Sequence, residues 1–113
     1  MVEITPLTMR FGAEISGVKL GALSGEEFEA IYQAWLKYGV LRFRDQPLND
    51  DELQGFSQRF GPLEERPMGR LSEADKAKVK DRFVTVLSNI KIDGRSIGGL
   101  GNTEAKWHSD MTY

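Results

Sequence analysis

One amphipathic helix constrains the fold of this chain more than any other feature of its sequence. Ser24 can cap the helix, and Glu27 stands three residues later, which is the spacing of a capping box. Large apolar side chains then recur at helical intervals and line a single face. They are Phe28, Ile31, Tyr32, Trp35 and Leu36. Gly39 supplies a stop, so the sequence predicts a helix between Ser24 and Gly39 that is buried on one side.

Short strands and a second helix are predicted around this helix. Residues 2–20 mix β-branched residues with glycines, which indicates two short strands joined by a turn. Residues 40–44 alternate apolar and charged side chains, which is typical of a strand with one buried face. A second helix is predicted to begin near Asn49, with Glu52 at the capping-box position, and to end at Gly61.

The second half of the chain gives weaker signals. Residues 63–71 are polar and carry Pro and Gly, which predicts a loop, and residues 72–82 predict a short surface helix. Residues 83–89 have the β-branched content of a strand. Residues 98–102 form a glycine-rich stretch that predicts a loop, and residues 107–113 are interpreted as a strand.

Composition excludes several classes of protein. With 113 residues the chain suffices for one small domain, and its net charge of -2 offers no basic excess for a phosphate backbone, so no nucleic-acid partner is expected. The absence of cysteine excludes disulfides and thiolate sites. We find neither a signal peptide nor an apolar run near the roughly 18 residues of a membrane span, so no membrane partner and a cytoplasmic location are expected.

The motif with the most chemical content is the pair His108 and Asp110. On an extended strand, side chains two residues apart project from the same face, with Cα atoms roughly 6.5–7 Å apart. An imidazole nitrogen and a carboxylate oxygen suit divalent iron, and with a second histidine they form the facial triad of non-haem iron enzymes. His108 is the single histidine of this chain. Taken alone, the pair is more often a histidine that is hydrogen-bonded to a nearby aspartate than a metal site.

The wider sequence resembles the taurine/2,4-D dioxygenase (TauD/TfdA-like) family of iron(II), 2-oxoglutarate-dependent enzymes. Four blocks match that family in the same order along nearly the whole chain. They are residues 4–7 (ITPL) followed by 12–18 (GAEISGV), 40–46 (VLRFRDQ), 60–63 (FGPL) and 107–113 (WHSDMTY).

The resemblance implies a fold and two metal ligands. The implied fold class is α+β with a double-stranded β-helix, or jelly-roll, core like that of clavaminate synthase. His108 and Asp110 match the first two iron ligands, whereas the third ligand and the 2-oxoglutarate-binding arginine lie further downstream in such enzymes. Residues 1–113 are therefore expected to be the N-terminal portion of a single dioxygenase domain, truncated after the first two metal ligands. Apolar faces of such a fragment would stay uncovered, which predicts self-association.

The implied activity is that of an oxidoreductase with iron(II), 2-oxoglutarate and O2. It would hydroxylate a small, anionic organic substrate and form succinate and CO2, and the full-length protein could be a homo-oligomer. One alternative is a truncated fragment or pseudoenzyme that acts only as a structural or interaction piece, because the chain alone is expected to be inactive. A second is a metal-binding β-barrel of another chemistry, such as a cupin isomerase.

Three residues are candidates for binding the substrate. The resemblance implies that taurine-using members of the family hold the sulfonate with a His and, three residues later, a Tyr. In this chain the corresponding residues are Arg66 and Gly69, so taurine is in doubt as the substrate. Arg66 could bind an anionic group or be a solvated loop residue. Asn102, upstream of His108, could reach a substrate or simply contribute loop polarity. Tyr113 matches the flank that packs around the metal in the family.

Overall fold

The computed structural model describes residues 1–65, 68–69, 72–79, 81–102 and 106–109. The chain divides into two units, Met1–Glu64 and Glu65–Tyr113. We refer to them as unit 1 and unit 2.

A three-stranded sheet and one long helix form the framework of unit 1. Strands β1 (Glu3–Pro6), β2 (Ala13–Ser16) and β3 (Leu41–Phe43) lie in the order β1-β2-β3. The pairing of β1 with β2 is antiparallel and that of β2 with β3 is parallel. Parallel neighbours need a long crossover, which helix α1 (Gly25–Tyr38) supplies between β2 and β3. The strands predicted in residues 2–20 and 40–44 are confirmed.

Helix α1 begins and ends where its capping residues stand. The Ser24 hydroxyl accepts a hydrogen bond from the Glu27 backbone N–H at 3.1 Å, and the Glu27 carboxylate accepts one from the Ser24 N–H at 2.8 Å. Two of the unsatisfied N–H groups at the helix start thereby gain partners. Gly39 adopts a φ of 75°, and its N–H donates to the Trp35 carbonyl at 2.8 Å. The predicted capping box and glycine stop are both confirmed.

Helix α2 (Asp50–Gln58) has the same type of start but ends earlier than predicted. Asn49 and Glu52 form its capping box, with hydrogen bonds of 2.8 and 2.9 Å. Beyond Gln58 the backbone tightens, because the N–H groups of Arg59 and Phe60 donate to carbonyls three residues back rather than four. The helix therefore does not reach Gly61.

The hydrophobic core of unit 1 lies between α1 and the sheet. Its buried members are Ile15, Val18, Leu20, Ile31 and Ala34. Partly buried apolar side chains surround them, among them Phe43, Phe56 and Phe60. A Gln46 side chain joins the two loops beside this core, since its amide donates to the Val18 carbonyl at 3.1 Å and accepts from the Leu20 N–H at 3.0 Å.

Unit 2 consists of short elements. Helix α3 (Glu73–Lys78) falls within the predicted surface helix. Strand β4 (Leu87–Ser88) pairs in parallel with β7 (Gly99–Leu100), and β5 (Lys91–Ile92) forms an antiparallel pair with β6 (Arg95–Ser96).

Three predictions for unit 2 need correction. The strand predicted over residues 83–89 is reduced to β4, because a strand persists only where a partner pairs with it, and the Phe83 N–H is taken by the Asp81 carboxylate at 2.8 Å. The glycine-rich stretch is only partly a loop, because Gly99–Leu100 forms β7. Residues 106–109 form no strand with any residue that the structure describes, whereas Asp110 and the residues after it lie outside the described part.

Unit 2 contains no buried residue among those that the structure describes. Its large hydrophobic side chains are exposed instead: Phe83, Val86, Leu87, Ile90, Ile92, Ile97 and Trp107. This agrees with the expectation that apolar faces of the chain would stay uncovered. In the described ranges we find no helix with the length and apolar character that a membrane crossing requires.

A charged cluster occupies the solvent face of the unit 1 sheet. The guanidinium groups of Arg42 and Arg44 donate to the same oxygen of Glu14, at 2.7 and 2.9 Å. The hydrogen bond from Arg44, and to a smaller extent the one from Arg42, holds the pKa of the Glu14 carboxyl below its usual 4.5. The folded state therefore favours the ionised carboxylate.

This lowered pKa predicts a loss of stability in acid. A group with a depressed pKa stabilises the folded state above its unfolded pKa, and that contribution is lost as the pH falls through its folded pKa. We therefore expect the free energy of unfolding to fall below pH 4.5 more steeply in the wild type than in Glu14→Gln. Urea unfolding at a series of pH values measures this. Glu64→Gln, at an exposed carboxylate, is the control, and equal slopes for Glu14→Gln and the wild type would contradict the prediction.

Candidate metal centre

The candidate metal centre begins with His108, whose side chain is exposed. Its Nδ1 lies 2.6 Å from the carbonyl oxygen of Lys106, two residues earlier. This is a local contact, because the chain folds back over a single intervening residue. Trp107, which comes between the two, is fully exposed.

The Lys106 contact favours a proton on Nδ1 of His108. A backbone carbonyl can only accept a hydrogen bond, so Nδ1 must donate. In the neutral ring the lone pair is then on Nε2. A metal-binding histidine commonly donates its other ring N–H to a carbonyl or carboxylate, which orients the ring. The contact therefore favours the tautomer that suits a metal bond through Nε2.

The other predicted ligand lies outside the described residues, as do two of the predicted substrate-binding residues. The ligand is Asp110, and the two substrate-binding residues are Arg66 and Tyr113. Within the described ranges no three His, Cys, Asp or Glu side chains cluster as a metal site would require. The pairing of His108 with Asp110 thus remains a prediction.

Asn102 is described, and it has a partner that the sequence did not suggest. The Asn89 side chain donates a hydrogen bond from Nδ2 to Oδ1 of Asn102 at 2.9 Å. Both side chains are exposed. The sequence reasoning missed Asn89, because the parallel pairing of β4 with β7 joins segments that are ten or more residues apart. The available signal was an asparagine that follows a short β-branched stretch.

Comparisons with known proteins match almost the whole chain to one family. The family model for "Taurine catabolism dioxygenase TauD, TfdA family" matches residues 3–113. The (S)-phenoxypropionate/alpha-ketoglutarate-dioxygenase of Sphingobium herbicidovorans is 35% identical, and the match covers 98% of this chain and 36% of that protein. The alpha-ketoglutarate-dependent sulfate ester dioxygenase of Pseudomonas putida is 30% identical, with 99% and 33% covered. The chain spans about a third of the length of these curated relatives.

Solved structures share the fold of a large part of the chain. The crystal structure of AAD-2 in complex with Mn(II) and N-oxalylglycine superposes with a TM-score of 0.54 at 32% identity. The superposition covers 57% of this chain and 26% of that one. A little over half of this chain therefore matches part of a larger protein of similar sequence.

The tautomer of His108 can be checked directly, because it is the chain's single histidine and its signals need no assignment among others. We expect long-range ¹H–¹⁵N spectra, recorded at a pH where the ring is neutral, to show the proton on Nδ1. The same chain in urea is the control, since unfolding removes the Lys106 contact and the preference with it. A folded chain in which the proton is on Nε2 would show that the Lys106 carbonyl does not orient the ring.

Proposed function

Because the chain belongs to the taurine catabolism dioxygenase TauD, TfdA family, we propose that it is the N-terminal part of a longer iron(II), 2-oxoglutarate-dependent dioxygenase. The observation that carries this proposal is the family match over residues 3–113, which includes the His108 and Asp110 motif. The curated relatives, about a third of whose length is matched, support a domain that continues beyond these residues.

We propose His108 and Asp110 as two of the protein ligands of the iron. The orientation of His108 fits this role, because its Nδ1 faces the Lys106 carbonyl and its lone pair is therefore on Nε2. An imidazole and a carboxylate are two members of the facial triad, which leaves coordination positions open. When bound, iron(II) with 2-oxoglutarate supplies the O2-dependent oxidation of a C–H bond, with formation of succinate and CO2. The solved relative that holds Mn(II) and N-oxalylglycine supports a divalent-metal site in this family.

The substrate is proposed to be a small organic anion. The names of two relatives specify a phenoxypropionate, which is a carboxylate, and sulfate esters. An arginine fork binds carboxylate and sulfate oxygens in pairs, which supports Arg66 as the residue that holds the charged group. Asn102 and Tyr113 are proposed to complete the substrate site. The Asn102 side chain is exposed, and its NH2 group can donate to a ligand while its oxygen accepts from Asn89.

The jelly-roll fold is proposed for the longer domain. The likeness to solved family members supports it, and so does the exposure of apolar side chains in unit 2. Covering one large apolar side chain contributes about 1.5–3 kcal/mol, so further strands would find a ready surface there. A cytoplasmic location and a homo-oligomeric state stay predictions.

Succinate formation by the protein as its gene encodes it tests the proposal. The assay contains iron(II), ascorbate, O2 and 2-oxoglutarate, with (S)-2-phenoxypropionate or hexyl sulfate as the trial substrate. We expect His108→Ala and Asp110→Ala each to lower succinate formation by about 100-fold or more, because each removes a metal ligand. Asp51→Ala, which removes an exposed carboxylate of unit 1, should retain activity.

Two results would contradict the proposal. Turnover that survives both ligand substitutions would place the metal elsewhere. A folded protein that neither binds iron nor forms succinate would favour the alternative of a structural or interaction piece.

A further inference from the structure

The parallel pair in unit 2 brings two asparagines to the same edge. Leu87 is paired with Gly99, and Ser88 with Leu100. Parallel strands run in the same direction, so the residues that follow them emerge side by side. Asn89 comes directly after β4, and Asn102 comes two residues after β7. This register sets the two side chains close together although 13 residues separate them in sequence.

Glycines allow this close approach. A Cβ atom at Gly98 would lie 2.6 Å from the backbone nitrogen of Ser88, so a larger residue would push the strands apart. Gly101 has a φ of 55°, which most residues adopt only with strain. Its N–H donates to the Gly99 carbonyl at 2.9 Å and closes a tight turn. Gly98 and Gly101 therefore fix the backbone conformation that positions Asn102.

The hydrogen bond between the asparagines gives the Asn102 carboxamide a direction. Asn89 donates from Nδ2, and Oδ1 of Asn102 accepts at 2.9 Å. The oxygen and the NH2 group of a carboxamide are attached to the same carbon and point to different sides. With its oxygen directed to Asn89, Asn102 presents its two N–H donors away from that partner.

Resting on the oxygenase function proposed above, we propose that Asn89 is a positioning residue for substrate recognition. It holds Asn102 so that the NH2 group of Asn102 donates to an anionic oxygen of the substrate. A carboxamide turned the other way would present its carbonyl oxygen, which repels a carboxylate or sulfate. The hydrogen bond from Asn89 thus selects anionic substrates at a position six residues before His108.

Substitutions at both asparagines separate positioning from direct contact. In the protein as its gene encodes it, we expect Asn102→Ala to raise the KM for (S)-2-phenoxypropionate or hexyl sulfate by about 10- to 100-fold, the range for a lost hydrogen bond to a charged group. Asn89→Ala should raise that KM by about 3- to 10-fold, because the orientation is lost but the donor remains. In both variants, kcat and the KM for 2-oxoglutarate should stay within about twofold of the wild type.

Asn89→Asp tests the positioning role most directly, because it should reverse the orientation of the Asn102 carboxamide. A carboxylate at this position can only accept, so it would bind the Asn102 NH2 group and turn the carbonyl toward the substrate. Its KM for the anionic substrate should exceed that of Asn89→Ala. Asp93→Asn is the matched control, because it changes a polar side chain in the nearby β5–β6 turn, where a φ of 50° is tolerated by either residue.

A second measurement covers the case in which neither trial compound is turned over. The side-chain amide signals of Asn102 in the ¹⁵N-labelled protein should shift on titration with each compound, and Asn89→Asp should abolish the shift. Wild-type turnover with an unchanged KM in Asn89→Ala and Asn89→Asp would overturn the positioning role while leaving the oxygenase function intact. Absent succinate formation together with shifted Asn102 signals would count against the oxygenase function but not against anion binding. Signals that neither compound moves would overturn the role of Asn102 in anion binding.

Discussion

The burial of Ile15 against helix α1 is the interaction on which unit 1 depends. Ile15 and Ile31 are the largest side chains that are fully buried among the described residues, and they belong to one cluster. Full burial of each contributes about 1.5–3 kcal/mol. Because β2 carries Ile15 in the middle of the sheet, the same contact holds β1 and β3 in place on either side. The charged cluster of Glu14, Arg42 and Arg44 can then face solvent on the opposite side of the sheet.

Unit 2, which carries the candidate chemistry, is ordered by a different means. Its described residues include none that is buried, so backbone pairing and side-chain hydrogen bonds define its short strands. Each such hydrogen bond contributes about 0.5–1.5 kcal/mol, which is less than the burial of one large apolar side chain contributes. The Lys106 carbonyl at His108 and the Asn89 contact at Asn102 are of this kind. Local hydrogen bonds therefore orient the His108 and Asn102 side chains, whereas the rigidity of the proposed site depends on further packing.

Structure that depends on contacts between residues close in sequence could be predicted, whereas structure that depends on contacts between distant segments could not. The helices were predictable because Ser24 and Asn49 cap them through contacts within four residues. The pairing of β4 with β7 was not, since it joins distant segments and a glycine-rich stretch is equally typical of a loop. The candidate ligands came from a motif and a family resemblance. The family is confirmed, whereas the geometry of Asp110 is untested. Asn89 was missed because its role depends on a register that local patterns do not specify.

Binding of iron(II) and 2-oxoglutarate by the protein as its gene encodes it is the most direct measurement of the central claim. Anaerobic addition of iron(II) and then 2-oxoglutarate should produce a visible charge-transfer absorption, because the cosubstrate would chelate a metal held by His108 and Asp110. The band should be absent in His108→Ala, although that variant remains folded by circular dichroism. A folded wild-type protein that shows no band at saturating iron(II) and 2-oxoglutarate, or a His108→Ala variant that retains it, would contradict the claim.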